Sequence, residues 1–146
     1  MDRRVIEAKL ERLRRCVQRI EQKRPSTPEA LATDYDLQDI LSVNLERAVQ
    51  LCVDIAAHVI ADREMSAPTT MAATFEALHA LHILSPDLAD SMKKAVGFRN
   101  IVVHNYQEID WEIVFNICHH KLDDFRAFAQ AIVHMLSVAD SAGHIA

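Results

Sequence analysis

Two glycines and four prolines in 146 residues leave little material for turns, and half of the residues are hydrophobic. A many-stranded β protein is poorly served by that composition, whereas long helices with few connections are favoured. No stretch approaches the ~18 consecutive apolar residues of a membrane span. The first residues, Met1-Asp2-Arg3-Arg4, run straight into an amphipathic pattern without the apolar core of a signal peptide. Cysteine is scarce too: Cys16, Cys52 and Cys118 are odd in number and widely spaced, which excludes a disulfide frame and suits buried, reduced thiols in a cytoplasmic protein. No glycine-rich phosphate loop can be built. His79/His82 and Cys118/His119/His120 lack a matching second half at zinc-site spacing, so no metal and no cofactor is expected.

What is present is one domain's length of helix with an uneven charge. The net charge is −5, yet residues 1–24 hold nine Lys/Arg against four acids. A basic first helix on an acidic body reads in three ways: a solvated face, a docking surface for an acidic partner, or a surface that follows RNA phosphates.

Periodicity predicts the helices. Ile6, Leu10, Leu13, Val17 and Ile20 form one stripe over about residues 2–23, ended by Pro25. A second helix over about 36–61 is apolar around much of its girth, so it is expected at the centre or in a subunit interface. A short helix reaches about Leu84. Ser85-Pro86-Asp87 is a strong start signal for a fourth. Asp110 caps a last helix running to about Val138. The expected architecture is all-α, a bundle of four main helices plus one short helix over residues 1–140, with a frayed tail at 141–146.

Three polar side chains interrupt the apolar stripes: Asn44 and His58 in the second helix and Arg99 in the fourth. Asn44 reads first as a register-setting hydrogen bonder. His58 has Asp54 one turn earlier, a partner able to fix its tautomer. Arg99 is harder to explain structurally, since a buried arginine needs an anion and its own helix offers none on that face. It opens the segment Arg99-Asn100-Ile101-Val102-Val103-His104-Asn105-Tyr106, which joins a guanidinium, an imidazole and a phenol within eight residues. Around an unbroken helix, Tyr106 falls within about 20° of Arg99 and His104 about 140° away. One helix cannot easily aim Arg99 and His104 at one phosphate. Either the helix ends between them, or two copies of the chain complete the site. Two imidazoles and two arginines in one cleft suit RNA cleavage by internal transphosphorylation.

Arg99-Asn100-x-x-x-His104 resembles the R-x4–6-H signature of the HEPN superfamily of helical ribonucleases, and with Tyr106 it looks like the R-x4-H-x-Y form of the HepT subgroup. Leu37-Gln38-Asp39, Asn44-Leu45-Glu46-Arg47 and Cys52 to His58 are similar to the second helix of HepT-like proteins, and Lys93 to Asn100 to their run into the motif. The resemblance implies a homodimeric, metal-independent endoribonuclease, the toxin of a type VII toxin–antitoxin pair. Its partner would be an MntA-type nucleotidyltransferase that transfers AMP to the motif tyrosine, here Tyr106. Arg99 and His104 would be catalytic, with Asn100, Asn44, Asp54 and His58 in support. Bulk and negative charge added at Tyr106 would exclude RNA. The competing reading is a non-catalytic helical module that binds, or presents substrate to, a nucleotidyltransferase.

Overall fold

A computed structural model describes residues 1–145 of the chain, and all regular structure among them is helical. The first helix, α1 (Arg3–Lys23), is capped by the Asp2 carboxylate and lays Ile6, Leu13, Val17 and Ile20 inward. Its main partner is α3 (Tyr35–Ala61), capped by Asp34. Thirteen residues of α3 are buried, spread around the helix, and every other helix touches it. Of the two positions its girth allowed, α3 takes the centre.

Between them lies α2 (Pro28–Thr33), a single short helix where only a connection was expected. Thr27 caps it, Pro28 opens its first turn and Leu31 is fully buried. Its last carbonyls are satisfied by α3: the buried Gln38 side chain donates to Leu31 O at 3.0 Å and Ala32 O at 3.3 Å. A burial that would strand polar backbone is thereby compensated.

The short helix α4 (Met71–Ala80) ends four residues before the expected Leu84. His82 adopts φ 62°, and the amides of His82 and Ile83 bond back to His79 O and Leu78 O, both at 2.9 Å. This is a left-handed cap, a position where glycine is usual. Next, α5 (Pro86–His104) opens on Ser85 as its start signal predicts, with Ser85 Oγ accepting from the Leu88 amide at 3.2 Å.

The last expected helix is two: α6 (Trp111–His120), capped by Asp110, and α7 (Leu122–Ile145). The chain bends at Lys121, where ψ is 0°, and the bend keeps Val114 and Cys118 on one side and Leu122, Phe125 and Phe128 on the other all in the core. Neither glycine nor proline marks that bend. Helix continues past Val138, through the expected tail, as far as Ile145. The bundle therefore has seven α-helices among the described residues, with α1, α3, α5 and the α6–α7 pair as its four main members. None is long and apolar enough to cross a membrane. Cys16, Cys52 and Cys118 are all buried and free.

Candidate active site

Helix α5 leaves the core along its length. Ala89, Met92 and Val96 are buried, and no later residue of the helix is. Arg99 sits where the helix emerges, its side chain only 16 % exposed and folded back on α3. There Nη2 donates to Gln50 Oε1 at 3.1 Å, while Nε lies 3.7 Å from Glu46 Oε1, close enough for charge attraction but without a hydrogen bond. Nη1 donates to Asn100 Oδ1 at 3.2 Å. The anion missing from its own helix is thus Glu46 of α3, supplied across the helix pair.

Gln50 extends the network, donating through Nε2 to Asp54 Oδ1 at 2.9 Å, and Lys9 of α1 stands 3.8 Å from Asp54 Oδ2. Asp54 therefore serves Gln50 and Lys9 and reaches Arg99 only through Gln50. No bond joins it to His58, which corrects the expected tautomer-fixing pair. Gln50, one turn before Asp54 on the same face, takes Asp54's oxygen. His58 lies eight residues beyond Gln50, about 12 Å along the helix, and takes no part in the Arg99 network.

Beside this network runs a groove of about 610 Å³ between α1 and α3. Arg12, Arg15 and Arg19 line it from one face of α1 and Arg47 from α3, while Glu46, Gln50 and Asp54 form its border with the Arg99 site. Arg15 is paired with Glu11. Among the described residues no carboxylate pairs with Arg12, Arg19 or Arg47. Asn44 lines the same groove, its amide donating to Ile40 O at 2.8 Å. The basic first helix is in this sense more than a solvated face: four arginines converge on one groove that leads to Arg99.

His104 is the last residue of α5 and is exposed. The helix does not end between Arg99 and His104, so the two share one unbroken helix, about 7.5 Å apart along its axis and about 140° apart around it. Exposed apolar residues flank His104: Ile101 and Val103 are 41 % and 46 % exposed.

Helix α5 stops at Asn105, and Tyr106 starts a 3₁₀ turn over Tyr106–Glu108. Tyr106 would continue the Arg99 stripe only in an unbroken helix, and the helix has ended before it. The turn swings the phenol over α3, where its hydroxyl donates to Asp39 Oδ1 at 2.5 Å. The Trp111 ring packs against it edge-on at 5.9 Å. Burial, and then the Asp39 bond, push the phenol pKa above its ordinary value. Gln50 escaped sequence reasoning, while Asp39 and Glu46 entered it only inside the stretches similar to HepT-like proteins, with no site role given to either.

Two of the other histidine candidates have structural tasks. His79 Nδ1 contacts Leu84 O at 3.1 Å, and His119 Nε2 contacts Pro25 O at 2.8 Å. No group of three or more His, Cys, Asp or Glu side chains gathers among the described residues.

An all-helical bundle with an arginine held on α3, a histidine at a helix end and a tyrosine just beyond it has the pattern of the HEPN class of helical nucleases. The chain belongs to the Ribonuclease HepT-like family, whose model matches residues 6–132. It is 34 % identical over 128 residues to the mRNA nuclease HepT of Shewanella oneidensis, covering 88 % of this chain and 96 % of that protein. It is 25 % identical over 128 residues to the tRNA nuclease HepT of Aphanizomenon flos-aquae, covering 88 % and 87 %. Its fold superimposes with a TM-score of 0.84 on the tri-AMPylated Shewanella oneidensis HEPN toxin solved in complex with an MNT antitoxin, at 34 % identity over 92 % of this chain and 99 % of that one.

Proposed function

We propose that this chain is the toxin of a toxin–antitoxin pair, an endoribonuclease whose site is completed by a second copy. The observation that carries the reading is α5 itself. Arg99 and His104 diverge on one continuous helix, and the face of its end that bears His104 is uncovered, with Ile101 and Val103 exposed beside it. A twofold pairing of these helix ends covers the apolar residues and sets two Arg99 and two His104 about one cleft.

In that cleft one imidazole takes the proton of the ribose 2′-OH as its oxygen bonds to phosphorus. The other imidazole protonates the 5′ oxygen as the phosphorus–oxygen bond breaks. Arg99 stabilises the charge that grows on the phosphoryl oxygens, and Asn100 fixes the guanidinium through its Oδ1. Every proton in this cycle is carried by the protein, so the reaction needs no metal. Asp54 supports Arg99 through Gln50, and Asn44 lines the arginine groove, which holds the RNA backbone on its way to the site. His58, expected as a supporting residue, lies outside this network and has no part in the proposed reaction.

The partner is an MntA-like nucleotidyltransferase, and Tyr106 is the residue it modifies. The relative solved as a tri-AMPylated toxin with its MNT antitoxin supports this, as does the 38 % exposure of Tyr106 close to His104. AMP at that point sets bulk and negative charge where RNA phosphate must approach. The protein acts in the cytoplasm, a compartment that suits three buried, unpaired cysteines.

Expression of wild type and His104→Ala without the partner tests the nuclease reading. Wild type is expected to arrest growth with loss of intact RNA, and the variant to do neither. Equal growth and equal RNA integrity in the two cultures would overturn it.

A further inference from the structure

A tyrosine that is to accept AMP must lose its proton as its oxygen attacks phosphorus. The phenol of Tyr106 is held above its ordinary pKa by burial and by Asp39, so at neutral pH it is a neutral and weak nucleophile. The hydroxyl proton points to one acceptor. Tyr106 Oη donates to Asp39 Oδ1, so the phenol proton faces a carboxylate oxygen. Ser42 Oγ, whose shorter bond goes to Gln38 O at 2.7 Å, also stands as a long donor 3.4 Å from the phenol oxygen. The phenol proton is thus hydrogen-bonded to a carboxylate, and the oxygen keeps a lone pair for attack. The edge-on contact with Trp111 holds the ring, and Tyr106 is 38 % exposed.

We propose that Asp39 is the general base for modification of Tyr106, so that the toxin itself supplies a catalytic group to its own inactivation. The inference rests on the reading of Tyr106 as the AMP acceptor. In the step, Tyr106 Oη forms a bond to the α-phosphorus of a nucleoside triphosphate presented by the nucleotidyltransferase. The bond from that phosphorus to the bridging oxygen breaks, pyrophosphate leaves, and the phenol proton passes to Asp39. The carboxylic acid so formed returns the proton to water, because Asp39 is exposed. A hydroxyl whose proton is taken by an aspartate during phosphoryl transfer is the same chemical arrangement that kinases use on their substrates.

The test is single-turnover transfer from MgATP at saturating nucleotidyltransferase, with AMP on Tyr106 followed by intact and peptide mass spectrometry. Asp39→Asn keeps an oxygen that accepts the same hydrogen bond but cannot take the proton, so it separates holding from catalysis. The Asn variant is expected to transfer about 100-fold more slowly or worse, and Asp39→Glu to recover to within about tenfold of wild type. Transfer to Tyr106 at rates within about threefold in wild type and Asp39→Asn would overturn the inference alone. AMP on a different residue of the wild type would overturn the Tyr106 assignment, and this inference with it.

Discussion

Arg99→Lys separates the proposed chemical role of Arg99 from its structural one. The guanidinium makes two hydrogen bonds, to Gln50 at 3.1 Å and Asn100 at 3.2 Å, and sits 3.7 Å from Glu46. Lysine keeps the charge beside Glu46 but not the planar fork, so it cannot hold both bonds and still present donors to a phosphoryl group. The ion pair is partly solvated, with Arg99 16 % and Glu46 25 % exposed, which limits its worth to about 1 kcal/mol. Since lysine retains the charge, the melting temperature is expected to fall by no more than about 3 °C. Loss of one preorganised donor to developing charge costs about 10²–10³ in kcat. Ground-state attraction of RNA depends mainly on charge, so KM is expected to move by less than about threefold. Steady-state cleavage of an RNA oligonucleotide, with thermal unfolding on the same preparations, reads all three quantities. A kcat within about threefold of wild type would refute the role of the fork, as would a loss that merely tracks the unfolded fraction.

Three further outcomes follow from particular residues. Cleavage is expected to persist after exhaustive chelation, and activity abolished by a chelator and restored by one divalent cation would refute the two-imidazole mechanism. His82→Gly relieves a left-handed residue at the end of α4 and is expected to stabilise the protein by about 0.5–1 kcal/mol, raising the melting temperature by about 2 °C; a lower melting temperature would refute the cap assignment. Burial pushes the Cys118 thiol up to about 12 and raises Cys16 and Cys52 as well, so reactive thiolate is scarce at pH 8. Iodoacetamide at pH 8 should leave the native protein unmodified and alkylate all three cysteines once it is unfolded. Rapid native labelling of any one would show that the core is more open than its packing.

Those elements legible in the sequence are the ones whose burial is periodic or whose ends carry caps. The α1 stripe, the Ser85-Pro86-Asp87 start of α5 and the Asp110 cap each have a local cause, and each appears where that cause predicts. The six-residue α2 is too short to show a period, and its stability comes from Gln38 of another helix. The bend at Lys121 has no local signal, because both α6 and α7 continue one inward stripe through it. Within the site, Arg99 was conspicuous as a charge without an anion on its own helix. Its partners were not legible, since which of many acids on α3 faces it depends on how two helices are set against each other. Asp54 and His58 illustrate the opposite error: a one-turn spacing permits contact without requiring it, and Asp54 bonds Gln50 one turn earlier instead.

The end of α5 decides how catalysis and its control are divided. Had the helix run on through Tyr106, the phenol would have lain on the Arg99 side, over the guanidinium it is proposed to regulate. Asn105 instead leaves the helix at φ −138° and ψ 51°, and the turn that follows delivers the phenol to Asp39 of α3. His104 is left as the final helical residue, outward and uncovered, two positions from a tyrosine anchored on a different helix. A group attached to the tyrosine can therefore reach the space before His104 without disturbing the Arg99 network, which lies on the Glu46–Gln50 stretch of α3. On the proposed reading, modification of Tyr106 occupies the approach to the site and leaves the folded bundle with its Arg99 contacts unchanged. The modified protein should then melt no lower than the unmodified one while losing cleavage. A marked fall in its melting temperature would mean that AMP acts by loosening the fold instead.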